Sequence, residues 1–312
     1  MATIKEEFTY KSRDRETDLH AIRWSPEGEP RAILQVVHGM QEYVDRYDEY
    51  ARFLNDRGIL VTGNDHLGHG KSADGKQLGY ICKNDPATVL VRDVHRLKKM
   101  TQEKYPGVPY ILLCHSFGSF IGREYLTRYG TGIQGAIIQG TGMAPDGTIR
   151  FRRAVGNIQG FFCGQRHPSK LLAYLCFKDY LKRIPDHKTM GDWLSHNEES
   201  IAAYGASPYT QGFFSVNGFK TLAELMKRGQ DMDHIEDIPK ELPILLTSGK
   251  EDPVGHYGED VEKLYHIYKD QLGLTKVEIK LYDGLRHELQ QEIGREQVFE
   301  DQYNWIMKVA GA

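Results

Sequence analysis

The chain carries 312 residues, with 40 Lys and Arg set against 43 Asp and Glu for a formal net charge of −3. That balance gives no signal for binding a polyanion and excludes nucleic acid as the expected partner. A length of this order, with 40% hydrophobic and 27% charged residues, suits one large α/β domain or a core domain carrying an insertion.

The opening stretch, Met1 to Glu7, lacks the basic-then-apolar run of a secretory leader. No apolar stretch approaches the ~20 residues that span a bilayer. The four cysteines, Cys82, Cys114, Cys163 and Cys176, form no CxxC pair and join no histidine cluster at metal spacing. They read as reduced thiols in a cytoplasmic protein that holds no metal.

In chain order, segments near Phe8–Lys11 and Leu19–Trp24 suggest a leading hairpin. Short apolar runs follow at Ile33–Val37, Ile59–Thr62, Tyr110–Leu113, Ala136–Ile138 and Ile244–Leu246. They alternate with helical patterns, which predicts a mostly parallel sheet covered on both faces. The helical faces are Tyr47, Tyr50, Ala51, Leu54; then Leu90, Val91, Val94, Leu97; then Val261, Leu264, Tyr265, Tyr268, Leu272; then Phe299, Tyr303, Ile306. Asp85 and Pro86 are placed to start the second of these helices. Val277, Ile279 and Leu281 alternate with polar residues, as a strand near a sheet edge does. From about Thr141 to Lys240 no convincing strand is found. The spacing predicts residues 1–141 and 241–312 as a core domain, with 142–240 a helical insertion.

Tyr110 to Ser119 is the most informative segment. An apolar strand runs into Ser116 and then into a helix that begins Phe117-Gly118-Ser119. A serine on such a strand-to-helix turn presents its hydroxyl as a nucleophile, as at the nucleophile turn of α/β-hydrolases. The pattern expected there is G-x-S-x-G, and Cys114 stands where the first glycine would be. The Phe117 N–H lies at a helix N-terminus and is one candidate oxyanion donor. Strand Ile33–Val37 runs into His38 and Gly39, a loop that shapes the same site, and the N–H of Met40 is the second candidate donor. Asp65 to Ser72, rich in glycine and histidine, reads as a structural loop bracing the site.

A serine hydroxyl needs an adjacent base. In this fold an acid and then a histidine follow the serine in the chain. Asp252 precedes Pro253 just after a strand and is favoured over its neighbour Glu251. His287 lies on the loop before the final helix. Its rival His256 comes too early in that order.

Residues 38–54 (HGMQEYVDRYDEYARFL), 65–72 (DHLGHGKS), 114–119 (CHSFGS), 249–255 (GKEDPVG) and 283–288 (DGLRHE) resemble the monoacylglycerol lipase and lysophospholipase branch of the α/β-hydrolases. The resemblance implies an eight-stranded core with a helical cap between the sixth and seventh strands. It also implies ester chemistry on acyl glycerols, lysophospholipids or simpler esters, with no cofactor. Within the insertion, Arg150–Lys188 holds nine Lys and Arg against two Asp and Glu. Phe151, Val155, Ile158 and Phe162 share a helical face and are the candidate acyl-pocket residues; Leu171 to Phe177 form a second apolar patch. The basic side suits an anionic head group or a transient contact with a membrane surface. A serine aminopeptidase or amidase of the same fold is the alternative, with Glu198 and Glu199 as the acidic pair it would need. A non-catalytic binding protein is disfavoured, because all three triad residues are present. The number of subunits has no signal in the sequence.

Overall fold

A computed structural model describes residues 3–73 and 77–311; Met1 and Ala2 of the opening stretch lie outside them. The strands are β1 (Ile4–Lys11), β2 (Asp18–Ser25), β3 (Ala32–Val37), β4 (Ile59–Asn64), β5 (Tyr110–His115), β6 (Gly135–Gln139), β7 (Ile244–Gly249) and β8 (Val277–Tyr282). They form one sheet in the order β1-β2-β4-β3-β5-β6-β7-β8. The β1–β2 hairpin is antiparallel, β2 meets β4 antiparallel, and every pair from β4 to β8 is parallel.

Burial follows the residue pattern. Every residue of β3, β4, β5, β6 and β7 is buried, so these continuous apolar runs occupy the sheet centre. Strand β8 alternates and takes the edge. The helices outside the insertion are α1 (Asp48–Asn55), α2 (Pro86–Lys104) and α3 (Phe117–Tyr129), with α9 (Glu259–His266) and α10 (Arg295–Ala310) after it. Helices α1 and α10 cover one sheet face; α2, α3 and α9 cover the other. Asp85 starts α2 as its capping residue, its carboxylate accepting the Thr88 N–H at 3.4 Å.

Between β6 and β7 the chain runs through α4 (Asp146–Cys163), α5 (Lys170–Phe177), α6 (Glu198–Ala206), α7 (Val216–Arg228) and α8 (Met232–Ile235). Its first residues are tied to the end of α7 and to α3. The fully buried Arg123 guanidinium donates to the carbonyls of Gly142 (3.1 Å) and Gly229 (2.5 Å). The Gln230 amide both accepts from Ala144 N–H (3.0 Å) and donates to its carbonyl (2.8 Å). The parallel strands all end on one side of the sheet, where α/β folds place their ligands. The insertion leaves the sheet at that side, at the end of β6, and its last residues run back to the opposite side, where β7 starts.

Candidate active site

Ser116 sits at φ 54°, ψ −118°, a conformation that costs a non-glycine residue about 1–3 kcal/mol. The surrounding backbone holds it there: Ser116 N–H donates to Gln139 O (2.9 Å) and Ser119 N–H to Ser116 O (2.8 Å). A side chain at Gly118 would lie 2.0 Å from Val37 O, so only glycine lets α3 approach the end of β3. The departure at Cys114 is absorbed nearby. A Cβ at Gly122 would meet the Cys114 Sγ at 2.5 Å, so the thiomethyl group fills the space that Gly122 leaves. Burial pushes the Cys114 thiol far above the usual thiol range, so it stays protonated and inert.

Gly39 brings the loop after β3 against this turn: a Cβ there would lie 3.1 Å from Ser116 Cβ and 2.9 Å from Glu42 Oε2. The Glu42 carboxylate accepts the Gly39 N–H at 2.6 Å. His66 N–H donates to His38 Nε2 (3.0 Å), so His38 carries its proton on Nδ1 and donates to Gly39 O (2.8 Å). That bond fixes the peptide plane whose other end is the Met40 N–H. The Asp65 to Ser72 loop is a brace. Asp65 accepts from Val44 N–H and Lys71 N–H, both at 2.8 Å, and pairs with His20 Nδ1 at 2.9 Å.

His287 is 2% exposed and its Nδ1 lies 2.8 Å from Asp252 Oδ2. Asp252 is fully buried, and its carboxylate also accepts from Ser248 Oγ (3.0 Å) and Val254 N–H (2.8 Å). The loops carrying the acid and the base cross where a Cβ at Gly249 would lie 2.0 Å from Leu285 O. Glu251 points outward to His196 Nε2 (2.9 Å), and exposed His256 pairs with Asp260 (2.6 Å); neither faces this centre.

Sequence reasoning assigned no role to a second buried network beneath the site. Glu42 pairs with His115 (3.2 Å) and lies 3.5 Å from Arg46; Arg46 grips Glu288 at 2.5 and 2.7 Å. Burial opposes charge on Glu42, but the His115 hydrogen bond and the nearby cations outweigh it and hold the carboxyl well below the usual range. Burial likewise opposes charge on His115; the Glu42 hydrogen bond and charge win and raise it above the ordinary imidazole value. The signal was present, since Glu42, Arg46 and Glu288 all lie in the segments quoted for the resemblance.

Gly39, Met40, Ser116, Phe117 and His287 border one cavity of about 1280 Å³, with Asp252 directly behind His287. The insertion supplies the opposite wall through Tyr174, Phe177, Tyr180, Ile184, Trp193 and Phe213 among others. The candidate acyl-pocket residues need correction. Phe151, Ile158 and Phe162 are 57, 62 and 78% exposed, Val155 is half-buried, and none of the four borders the cavity. Helix α4 buries the opposite face, with Ile149, Gly156 and Gly160, and packs against α7. Its apolar stripe is therefore left outside, and the second apolar patch meets the cavity through Tyr174 and Phe177. Among the described residues, no group of His, Cys, Asp and Glu is arranged to hold a metal, and no helix is long and apolar enough to cross a membrane.

Comparison with known proteins agrees with the fold. Residues 28–294 match the family Hydrolase_4, described as serine aminopeptidase, S33. The monoacylglycerol lipase of Mycolicibacterium smegmatis is 27% identical over 286 residues, 91% of each chain. The monoglyceride lipase of Mus musculus is 27% identical over 272 residues, 86% of this chain and 80% of that one. A thermostable carboxyl esterase from Bacillus coagulans, solved with glycerol, superposes with a TM-score of 0.91 at 29% identity, over 99% of this chain and 100% of that one. A soluble variant of monoglyceride lipase from Saccharomyces cerevisiae, solved with a substrate analog, gives 0.75 at 18% identity over 99% and 97%; that likeness concerns the fold alone.

Proposed function

The chain belongs to the serine aminopeptidase S33 family of α/β-hydrolases, in its monoglyceride lipase-like branch, and from that membership we propose that it hydrolyses carboxylic esters of lipid-like substrates, monoacylglycerols foremost. The observation that carries the reading is the 2.8 Å His287–Asp252 pair at a cavity that Ser116 also borders from a strained turn. In this mechanism His287 takes the proton from the Ser116 hydroxyl as its oxygen attacks the ester carbonyl. Met40 and Phe117 donate their N–H groups to the developing oxyanion; as the first residue of α3, Phe117 has no acceptor within the helix. Asp252 fixes the imidazole and stabilises its cation. The alcohol leaves with the proton from His287, and water, activated by the same imidazole, releases the acyl group from Ser116. No cofactor enters these steps.

A cavity of about 1280 Å³ exceeds the ~300–1,000 Å³ common for small-molecule sites and suits a long acyl chain. Residues 142–240 act in this reading as a lid unit over the core. The names of the relatives support the glycerol ester as the substrate class. The exposed Phe151, Ile158, Phe161 and Phe162, with Arg150 and Arg153 on the same helix, support transient contact with an anionic lipid surface.

The family description keeps an aminopeptidase as the second reading. Glu198 borders the cavity, but it is exposed and paired with Lys188 at 2.5 Å, which weakens it as a receptor for a substrate ammonium. A panel of monoacylglycerols, lysophospholipids, short p-nitrophenyl esters and aminoacyl amides separates the two. Monoacylglycerol turnover at the highest kcat/KM, lost by about 10⁵–10⁶-fold in kcat in a folded Ser116→Ala variant, is the expected result. Faster cleavage of aminoacyl amides sinks the ester reading.

A further inference from the structure

One short span of the insertion is fastened to the loop that carries His287, through residues on both sides of that histidine. The Arg286 guanidinium donates to the carbonyls of Asp192 (2.6 Å) and Ser195 (3.2 Å). Glu288 N–H donates to Leu194 O at 2.8 Å. The fully buried Glu292 carboxylate accepts from Ser195 Oγ (2.9 Å) and His196 N–H (2.8 Å) on the insertion and from Arg286 N–H (2.7 Å) on the base loop. Asn197 Nδ2 adds a bond to Gln291 O (3.1 Å). Residues 192 to 197 are therefore tied directly to the loop that carries His287.

Trp193 lies in the middle of this clamp. Its ring centroid is 5.0 Å from that of His287, with the planes 43° apart. Tyr180 backs it edge-on at 4.9 Å, and Phe177 stacks beyond at 6.4 Å. An indole is the strongest aromatic partner for a cation, and the separation is inside the ~6 Å reach of that attraction. The imidazole is neutral before attack and becomes a cation as Ser116 loses its proton. Stabilisation that exists only for the cation lowers the barrier without tightening the ground state. We infer that Trp193 is a positioning residue of the catalytic base, held by the Arg286–Glu292 clamp so that its ring stabilises the His287 imidazolium during acyl transfer. The inference rests on the serine hydrolase reading and adds to it a part of the reaction machinery supplied by the insertion.

The test replaces the indole electrons and not its shape. The enzyme is produced with tryptophan, 5-fluorotryptophan and more heavily fluorinated tryptophans, and kcat and KM are measured on a short p-nitrophenyl ester. The expected result is a stepwise fall in kcat totalling about three- to tenfold, with KM unchanged. Trp24 and Trp305 are labelled too, but they lie in the cluster on the other face of the sheet. The same series in Trp193→Phe should be flat, starting from a kcat between those of wild type and Trp193→Leu. A flat series in the wild-type background, or an equal fall in Trp193→Phe, overturns the role of Trp193. An unlabelled enzyme that is inert to esters, or indifferent to Ser116→Ala, refutes the hydrolase reading instead.

Discussion

The two walls of the cavity are held by different physics. On the core side, the loops around the strand ends are fixed by backbone crossings that admit only glycine at positions 118 and 249, by the close approach of Gly39 to the Ser116 and Glu42 side chains, and by buried ion pairs. On the insertion side, the cavity is faced largely by aromatic and aliphatic side chains, and hydrogen bonds tie that wall to the core at the neck, at residues 192 to 197 and at residues 210 to 217. A site that must hold a proton donor and acceptor within a fraction of an ångström calls for the first kind of wall. A wall that has only to enclose an apolar surface can rely on the second.

Four experiments break or sharpen that contrast. Asp252→Asn keeps the shape of the core wall but leaves His287 without its carboxylate; kcat on a p-nitrophenyl ester should fall about 10⁴-fold with little change in melting temperature. Arg46→Met should cost about 3–5 kcal/mol in denaturant unfolding, because buried Glu288 loses its bidentate partner and Glu42 a nearby cation. A loss under 1 kcal/mol would show that the ion network is not what holds this wall. Gly122→Ala drives a methyl group into the Cys114 sulfur and should cost about 1–3 kcal/mol. Adding Cys114→Gly should recover most of it, and an additive double-mutant cycle would refute the shared space. The smallest effect belongs to the insertion. Phe161→Ser with Phe162→Ser, exposed at 82 and 78%, should shift stability by no more than about 0.5 kcal/mol each. Turnover of a soluble short ester should stay as in wild type while binding to anionic vesicles weakens.

The same contrast explains what could be read in advance. Every central strand was legible, because a fully buried parallel strand is a short, continuous apolar run. The placement of Ser116, Asp252 and His287 could be anticipated because each follows a strand, and those strand ends carry turn-forming residues. The structure brings His287 and Asp252 into contact and places Ser116 on the same cavity. Helix α4 was misread for a physical reason. An apolar stripe ordinarily faces inward, but here Gly156 and Gly160 form the packing face and let a neighbouring helix come close, so the aromatic stripe is turned out. Trp193 had no signal at all. It lies in a non-helical stretch with no periodicity, and its neighbour His287 is 94 residues further along the chain.

The nesting of Cys114 against Gly122 has one more consequence. Of the four cysteines, Cys163 is exposed, Cys176 half-buried, and Cys82 and Cys114 buried. The Cys114 sulfur is shut in by α3 and kept as a thiol, so an alkylating reagent meets it only when α3 lifts from β5. The chain thus carries its own clock for that event. The slow phase of modification at this position times the transient opening of the segment that bears Ser116.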